Sequence, residues 1–237
     1  MRNALSALSV VLLLTACASA QATTKPSAGK VEKPPIVTAK EWGSKPQPID
    51  DSHKHTPKRI TIHHAGVFWK GTQEPVNTVR GLQAYGQKEK NWPDLPYHFL
   101  IAPDGTIFEG RSLAYEPQSN TNYPLQGHVG VELMGNFEEQ RVSPQQLKSL
   151  VALTAYLCDS LSIAPTEIAG HRDRAEKQTV CPGKDLYRYI EGGQIRGWVE
   201  KTLNGDKPDI APLEALPGGP TDPIPTTITP ATKPAGK

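Results

Sequence analysis

A chain of 237 residues, 37% hydrophobic and 6% aromatic, has room for one medium-sized domain but too little apolar content to pack from end to end. Its net charge of +2 and the lack of a long basic run argue against nucleic acid as a partner. Three cysteines, Cys17, Cys158 and Cys181, cannot make a complete disulfide framework, and the 23 prolines crowd into residues 26–57 and beyond residue 207, which leaves the core to the middle.

The chain opens with a short basic start, Met1-Arg2-Asn3, and an apolar run over residues 4–14 that is too short to span a bilayer comfortably. Small residues follow, and Leu14-Thr15-Ala16-Cys17 resembles the lipobox of bacterial lipoproteins. That resemblance implies a signal peptide over 1–16, lipidation of Cys17 and a membrane anchor. The residue after the cysteine is Ala18 rather than aspartate, which by the same resemblance implies an outer membrane location facing the periplasm of the bacterial cell envelope. Residues 17–35, rich in Ala, Thr, Lys, Ser and Pro, are expected to be a flexible tether.

Between Ile36 and Pro48, Glu41-Trp42-Gly43 is expected to be a lid or edge laid on the domain. Ile60-Thr61-Ile62 reads as a short buried strand running into His63 and His64, whose side chains alternate, so at most one of them faces a common site. Val79, Leu82 and Tyr85 predict a helix over 76–88 with one buried stripe. Strands are predicted at Tyr97–Ile101 and Thr106–Glu109, joined at Pro103-Asp104-Gly105 as a hairpin. Residues 112–127 are irregular, and a loop of that length inside a domain is often functional.

Residues 129–135 predict an apolar strand interrupted by Glu132. Ser143-Pro144 starts a helix whose stripe is Leu147, Leu150, Val151, Thr154, Leu157, Cys158 and Leu161, which makes Cys158 a small buried hydrophobe. Residues 185–201 predict one or two helices broken near Gly192-Gly193. Residues 205–237 are Pro-, Gly- and Thr-rich with no period, and are expected to be a disordered tail. The whole implies an α/β (mixed) fold: a central mixed β-sheet flanked by α-helices in a single domain, residues 36–204, between disordered N- and C-terminal segments.

His171 and Cys181 stand ten positions apart, in Gly170-His171-Arg172-Asp173 and Cys181-Pro182-Gly183. An imidazole and a thiolate so close in sequence suit one metal ion, and His63 is the best upstream candidate for a third ligand. Three protein ligands with one open position is the arrangement of catalytic zinc, which turns water into a nucleophile near neutral pH. By spacing alone, His63 could equally be a hydrogen-bonded core histidine.

These pieces occur in order with Ile62-His63-His64-Ala65-Gly66, Tyr97-His98-Phe99-Leu100-Ile101, Asp104-Gly105-Thr106-Ile107-Phe108-Glu109-Gly110-Arg111 and Val129-Gly130-Val131-Glu132-Leu133-Met134-Gly135-Asn136-Phe137. Together they resemble the zinc-dependent N-acetylmuramoyl-L-alanine amidases, a superfamily that includes peptidoglycan recognition proteins, phage amidase-type lysozymes and bacterial cell-wall amidases. The resemblance implies one Zn2+ per chain held by His63, His171 and Cys181, with His64 the weaker choice beside His63. It also implies catalytic roles for Tyr97 beside the metal, Glu132 as the catalytic glutamate, and Thr179, where many relatives carry lysine. The implied substrate is peptidoglycan or its muropeptides, with no oligomer required. Arg111, Arg172 and Arg174 are candidates for stem-peptide carboxylates. Two other readings stand beside the enzyme: a non-catalytic peptidoglycan-binding envelope protein, and an envelope protein with a Cys158–Cys181 disulfide.

Overall fold

The β-branched run Ile60-Thr61-Ile62 forms the middle of β2 (Arg59–His64), where every residue after Arg59 is buried. Beside it lies β5 (His128–Leu133), buried at all its positions. Burial of successive residues means that both faces of this pair are covered, as in parallel sheets clad by helices. The structure, a computed structural model, describes residues 31–229, so the expected signal peptide and the lipobox Cys17 lie outside it.

Four more strands complete a sheet in the order β1-β4-β3-β5-β2-β6: β1 (Ile36–Val37), β3 (Phe99–Ile101), β4 (Ile107–Glu109) and β6 (Ile168–Gly170). The hairpin β3/β4 is antiparallel and the other neighbours pair in parallel, so the sheet is mixed as expected. Among the described residues six α-helices surround it: α1 (Ala39–Trp42), α2 (Pro75–Glu89), α3 (Pro144–Leu161), α4 (His171–Arg174), α5 (Lys184–Glu191) and α6 (Gln194–Leu203).

Helix α3 starts where Ser143 and Gln146 form a reciprocal cap, and it buries Leu147, Leu150, Val151, Thr154, Leu157 and Cys158. Cys158 and Cys181 are both free thiols, which removes the disulfide reading. Gly193, at φ +76°, separates α5 from α6 at the expected break.

Two local expectations change. Of the two readings of Glu41-Trp42-Gly43 the edge holds and the lid does not: the segment follows edge strand β1, Thr38 and Glu41 cap the one-turn helix α1, and Trp42 is fully buried with its indole N–H donating to the Glu109 carbonyl at 2.7 Å. In α2 the buried stripe is Val79, Gln83 and Gly86, while Tyr85 is exposed. The helix turns its polar Gln83 inward because that amide donates to Asp94 at 2.7 Å and accepts from Lys45 N at 3.0 Å.

Residues 205–229 contain no helix or strand, as their composition leads one to expect, yet they run along the domain rather than away from it. Ile224 is buried, Arg141 N donates to Asp222 O at 2.8 Å, and Leu213 N donates to the Tyr189 hydroxyl at 2.9 Å. A few apolar and backbone anchors hold the segment, and average composition hides them.

Gly183 fixes the loop that carries Cys181. At φ +87° it packs so closely on the neighbouring backbone that a Cβ would lie 2.6 Å from Phe137 C and 2.8 Å from Glu138 N. Asp185 extends the attachment, its backbone N–H donating to Phe137 O at 3.0 Å and its carboxylate accepting from Val142 N at 2.8 Å. Gly183→Ala should therefore lower unfolding stability by more than about 1 kcal/mol in urea denaturation. Gly197→Ala in α6, where an added methyl meets nothing within 4 Å, should be neutral or stabilising.

His98 links the sheet to the long loop 112–127 from a fully buried position. Its Nδ1 accepts from Gly130 N at 2.9 Å, so its Nε2 carries the hydrogen it donates to Tyr115 O, also at 2.9 Å. Burial pushes its pKa from 6.5 down to about 3. The unfolded chain binds a proton here that the folded chain refuses between those two values, so stability contributed by neutral His98 is lost as pH falls through that window. The urea midpoint should decline progressively below pH 6.5, and the His98 imidazole resonances should stay neutral down to about pH 4.

Candidate metal centre

Strands β2 and β5 bring His63 and Glu132 together, because the two are direct partners in the parallel register. Residues in register point to the same face, so both side chains enter one cleft. His171 comes from the far side of β2, at the first position of α4 just after β6. Cys181 closes the group from the loop that Gly183 attaches.

The ligand atoms of His63, His171 and Cys181 all lie within 4.8 Å of one another, and His63 Nδ1 is 3.8 Å from Cys181 Sγ. Tetrahedral zinc with ordinary bond lengths would set such donors roughly 3.3–3.6 Å apart. Two imidazoles and a thiolate are the donor set that zinc favours, so the residues fit that ion with a small contraction. His64 stays outside the group, its Nδ1 accepting from Phe137 N at 3.2 Å and its backbone N–H donating to Cys181 Sγ at 3.3 Å.

A hydroxyl partner orients His171. Thr121 Oγ1 lies 2.6 Å from His171 Nε2 and Ser119 Oγ lies 3.4 Å from it, which leaves Nδ1 as the nitrogen for a metal. Reciprocal bonds between Asn122 and Gln178, at 2.8 and 3.0 Å, join the loop 112–127 to the loop between His171 and Cys181. The Tyr123 ring packs 5.4 Å from that of His171. Sequence reading named none of Ser119, Thr121 or Tyr123. Their one signal was the hydroxyl-rich run Ser119-Asn120-Thr121 inside an unusually long loop.

Burial makes the centre a group of neutral side chains. It pushes His63 well below 6.5 and His171 down to about 4, which keeps both imidazoles in the form that ligates a metal. Burial also raises the Cys181 thiol to about 12 and the Glu132 carboxyl to about 8. Glu132 Oε2 has no hydrogen-bond partner among the described residues. A buried carboxyl with an orphaned oxygen and a buried thiol, raised in spite of Arg172, are what a divalent ion at the centre would complement.

Tyr97 stands against His63 with ring centroids 4.9 Å apart, and burial together with Glu132 raises its pKa well above 10, so the phenol keeps its proton. Thr179 Oγ1 accepts from Cys181 N at 3.0 Å, so it holds the cysteine loop while lining the cleft.

The cleft around these groups has a volume of about 630 Å³. Leu82 and Tyr85 of α2, with Trp92 and Pro96, form one wall, and Gln118–Thr121 form another. The arginines do not enter it. Arg111 is fully buried and donates to the Leu95 and Glu116 carbonyls at 2.8 and 2.9 Å. Arg172 stacks 4.4 Å over the Tyr187 ring, and Arg174 donates to Glu167 O at 3.1 Å. None of the three is among the cleft's lining residues, which removes them as contacts for a stem-peptide carboxylate bound there.

Comparison with known proteins agrees with the motif order. Peptidoglycan-recognition protein SD of Drosophila simulans is 29% identical over 174 residues, covering 70% of this chain and 89% of that protein. Peptidoglycan recognition protein 1 of Mus musculus is 29% identical over 160 residues, covering 66% of this chain and 86% of that one. Among solved structures, N-acetylmuramoyl-L-alanine amidase LysC from Clostridium intestinale URNW is similar with a TM-score of 0.53 at 27% identity, over 73% of this chain and 99% of that chain. Drosophila peptidoglycan recognition protein SD gives a TM-score of 0.58 at 26% identity, over 66% of this chain and 93% of that chain. A family profile described as N-acetylmuramoyl-L-alanine amidase matches residues 53–184, more than half of the sequence and the span that contains His63, Glu132, His171 and Cys181, and the chain belongs to that family.

Proposed function

We propose that the chain is a zinc-dependent hydrolase that cleaves the amide bond between N-acetylmuramic acid and L-alanine in peptidoglycan. The observation that carries this reading is the orphaned Glu132 carboxyl beside a complete His-His-Cys donor set. Peptidoglycan as the substrate class is supported by the family and by relatives named for recognising it. A binding-only protein would have no use for an open donor set with an unpaired acid at its edge, and such an acid is costly to bury.

His63, His171 and Cys181 would hold the zinc. When bound, zinc supplies a Lewis acid for the scissile carbonyl and lowers the pKa of the attacking water to ~7. The protein's own groups do the rest. Beside a bound cation Glu132 would ionise, and its carboxylate, whose Oε2 has no hydrogen-bond partner among the described residues, would take the proton from water and deliver it to the departing nitrogen. Tyr97, held protonated, donates its hydroxyl to the developing oxyanion. Thr179 keeps Cys181 in place and has its hydroxyl hydrogen left to donate into the cleft. Thr121 fixes the His171 ring. Tyr85 and Trp92 offer apolar faces to the substrate at the cleft wall.

Purified protein should contain about one zinc per chain, and mass spectrometry of treated peptidoglycan should find free stem peptides that vanish with a chelator. Cys181→Ala should lose both metal and stem-peptide release; full activity in a metal-free preparation would sink the mechanism. Glu132→Gln should keep the zinc while turnover falls by about 10²–10⁴-fold. If turnover survives that change, the proton carrier is Tyr97 or Thr179 instead.

The Leu14-Thr15-Ala16-Cys17 signature supports a location on a lipid anchor in the bacterial envelope, at the outer membrane facing the periplasm, where the substrate lies. Mass spectrometry of the membrane fraction should find acyl chains on Cys17 as the first residue. An unmodified mature protein in the soluble fraction would refute the anchor.

A further inference from the structure

The loop between β2 and α2 forms part of the cleft wall. Ala65, Val67 and Thr78 line both the main cleft and an adjoining hollow of about 220 Å³ that also takes in Phe68, Lys70, Gln73 and Gly135. Residues 65–74 contain no helix or strand, and Val67 and Phe68 are 70% and 40% exposed. Such a wall needs outside support to keep one shape.

Part of that support lies within the family domain. Gln140, fully buried, accepts from Trp69 N and donates to Trp69 O, both at 2.8 Å. The rest comes from the C-terminal segment, beyond the span 53–184 that the family profile matches. Thr229 N donates to Gly71 O at 2.7 Å, and Arg141 and Ile224 bond through their backbones at 3.2 Å.

Two glycines mark the path of this segment. At Gly71, with φ +66°, a Cβ would lie 2.8 Å from Pro225 Cβ and 3.1 Å from Thr227 O. At Gly135 a Cβ would lie 2.6 Å from Ile224 Cδ1. The wall loop and the strand end beside it are both without side chains where the segment crosses. Further back, Leu213 N on the Tyr189 hydroxyl at 2.9 Å ties the segment to α5.

We propose that residues 213–229 are a positioning strap that holds the 66–73 wall in the shape that receives the muramyl-peptide substrate, and so set substrate affinity without touching the metal ligands. The inference rests on the reading of the cleft as the substrate site. It assigns Ile224 and Thr229 a role through the wall loop, not through contact with the reacting atoms.

The test compares the full chain with a truncation after residue 219 and with Ile224→Ala as a milder variant. Three readouts are taken on each zinc-loaded protein: amide hydrogen exchange across residues 66–73, zinc content, and KM and kcat for a soluble N-acetylmuramoyl tripeptide. The expected result is faster exchange at Trp69–Thr72, unchanged zinc, and KM raised on the order of 10-fold with kcat within about twofold, the signature of lost binding shared by ground and transition states. Unchanged exchange and unchanged KM would overturn the strap. Loss of zinc or of kcat in step with KM would overturn it too, because that pattern marks a general structural role. If the truncation does not fold, Ile224→Ala decides. If the intact chain binds the tripeptide without cleaving it, calorimetric affinity replaces KM; the strap is then judged apart from the amidase reading.

Discussion

Parallel pairing of β2 with β5 is the constraint from which the site follows. The register sets His63 opposite Glu132 at the end of two strands that are buried on both faces. A slip of one residue would turn His63 away from the cleft and bring His64 in its place. Covered faces also remove water from the carboxyl and both imidazoles, so the geometry of the sheet is what keeps these groups neutral. Fold and electrostatics here have one cause.

Around that pair, the other participants are delivered by loops that hold one another. The segment from His171 to Cys181 is attached below through Gly183 and beside through Gln178, which bonds to Asn122 of the 112–127 loop. That second loop is in turn held at its root by His98 and by Arg111, whose guanidinium is spent on backbone carbonyls. An arginine in a motif suggests a ligand contact, but here its bonds go to backbone carbonyls, that of Glu116 in this loop and those of Asp94 and Leu95 before β3, in segments that have no regular structure to satisfy themselves. Thr121 and Ser119 reach His171 only because all of these attachments agree.

Much of this could be read from the residues. Strands with β-branched or apolar runs, the Pro103-Asp104-Gly105 turn and the Ser143-Pro144 helix start each carry a local signal, and the structure has them where the signals stand. The meeting of His63, His171 and Cys181 was legible because each lies in a motif and the motifs follow one another in a recognisable order, and the three side chains do come together. What escaped was long-range. Gln83 turns inward in α2 because Asp94 and Lys45 wait there, and periodicity counts only apolar residues. Trp42 could be read as lid or edge alike because its partner, the Glu109 carbonyl, is 67 residues away. Thr121 has no motif, and its role depends on how two loops meet. The segment after residue 204 has tail-like composition, and Ile224 and Leu213 are too few to alter an average although they suffice to anchor it.

The crossing of the C-terminal segment over Gly71 and Gly135 couples positions that the chain keeps 64 apart. A methyl group at either place would meet the strap, and both positions also have positive φ, +66° at Gly71 and +135° at Gly135, so the backbone favours glycine there independently of the crossing. Where the strap is shortened or rerouted only the steric demand lifts, and the backbone demand stays. Across homologous sequences, chains that end after the last helix should therefore admit asparagine in place of Gly71, because it tolerates positive φ, whereas chains that carry a comparable extension should keep glycine.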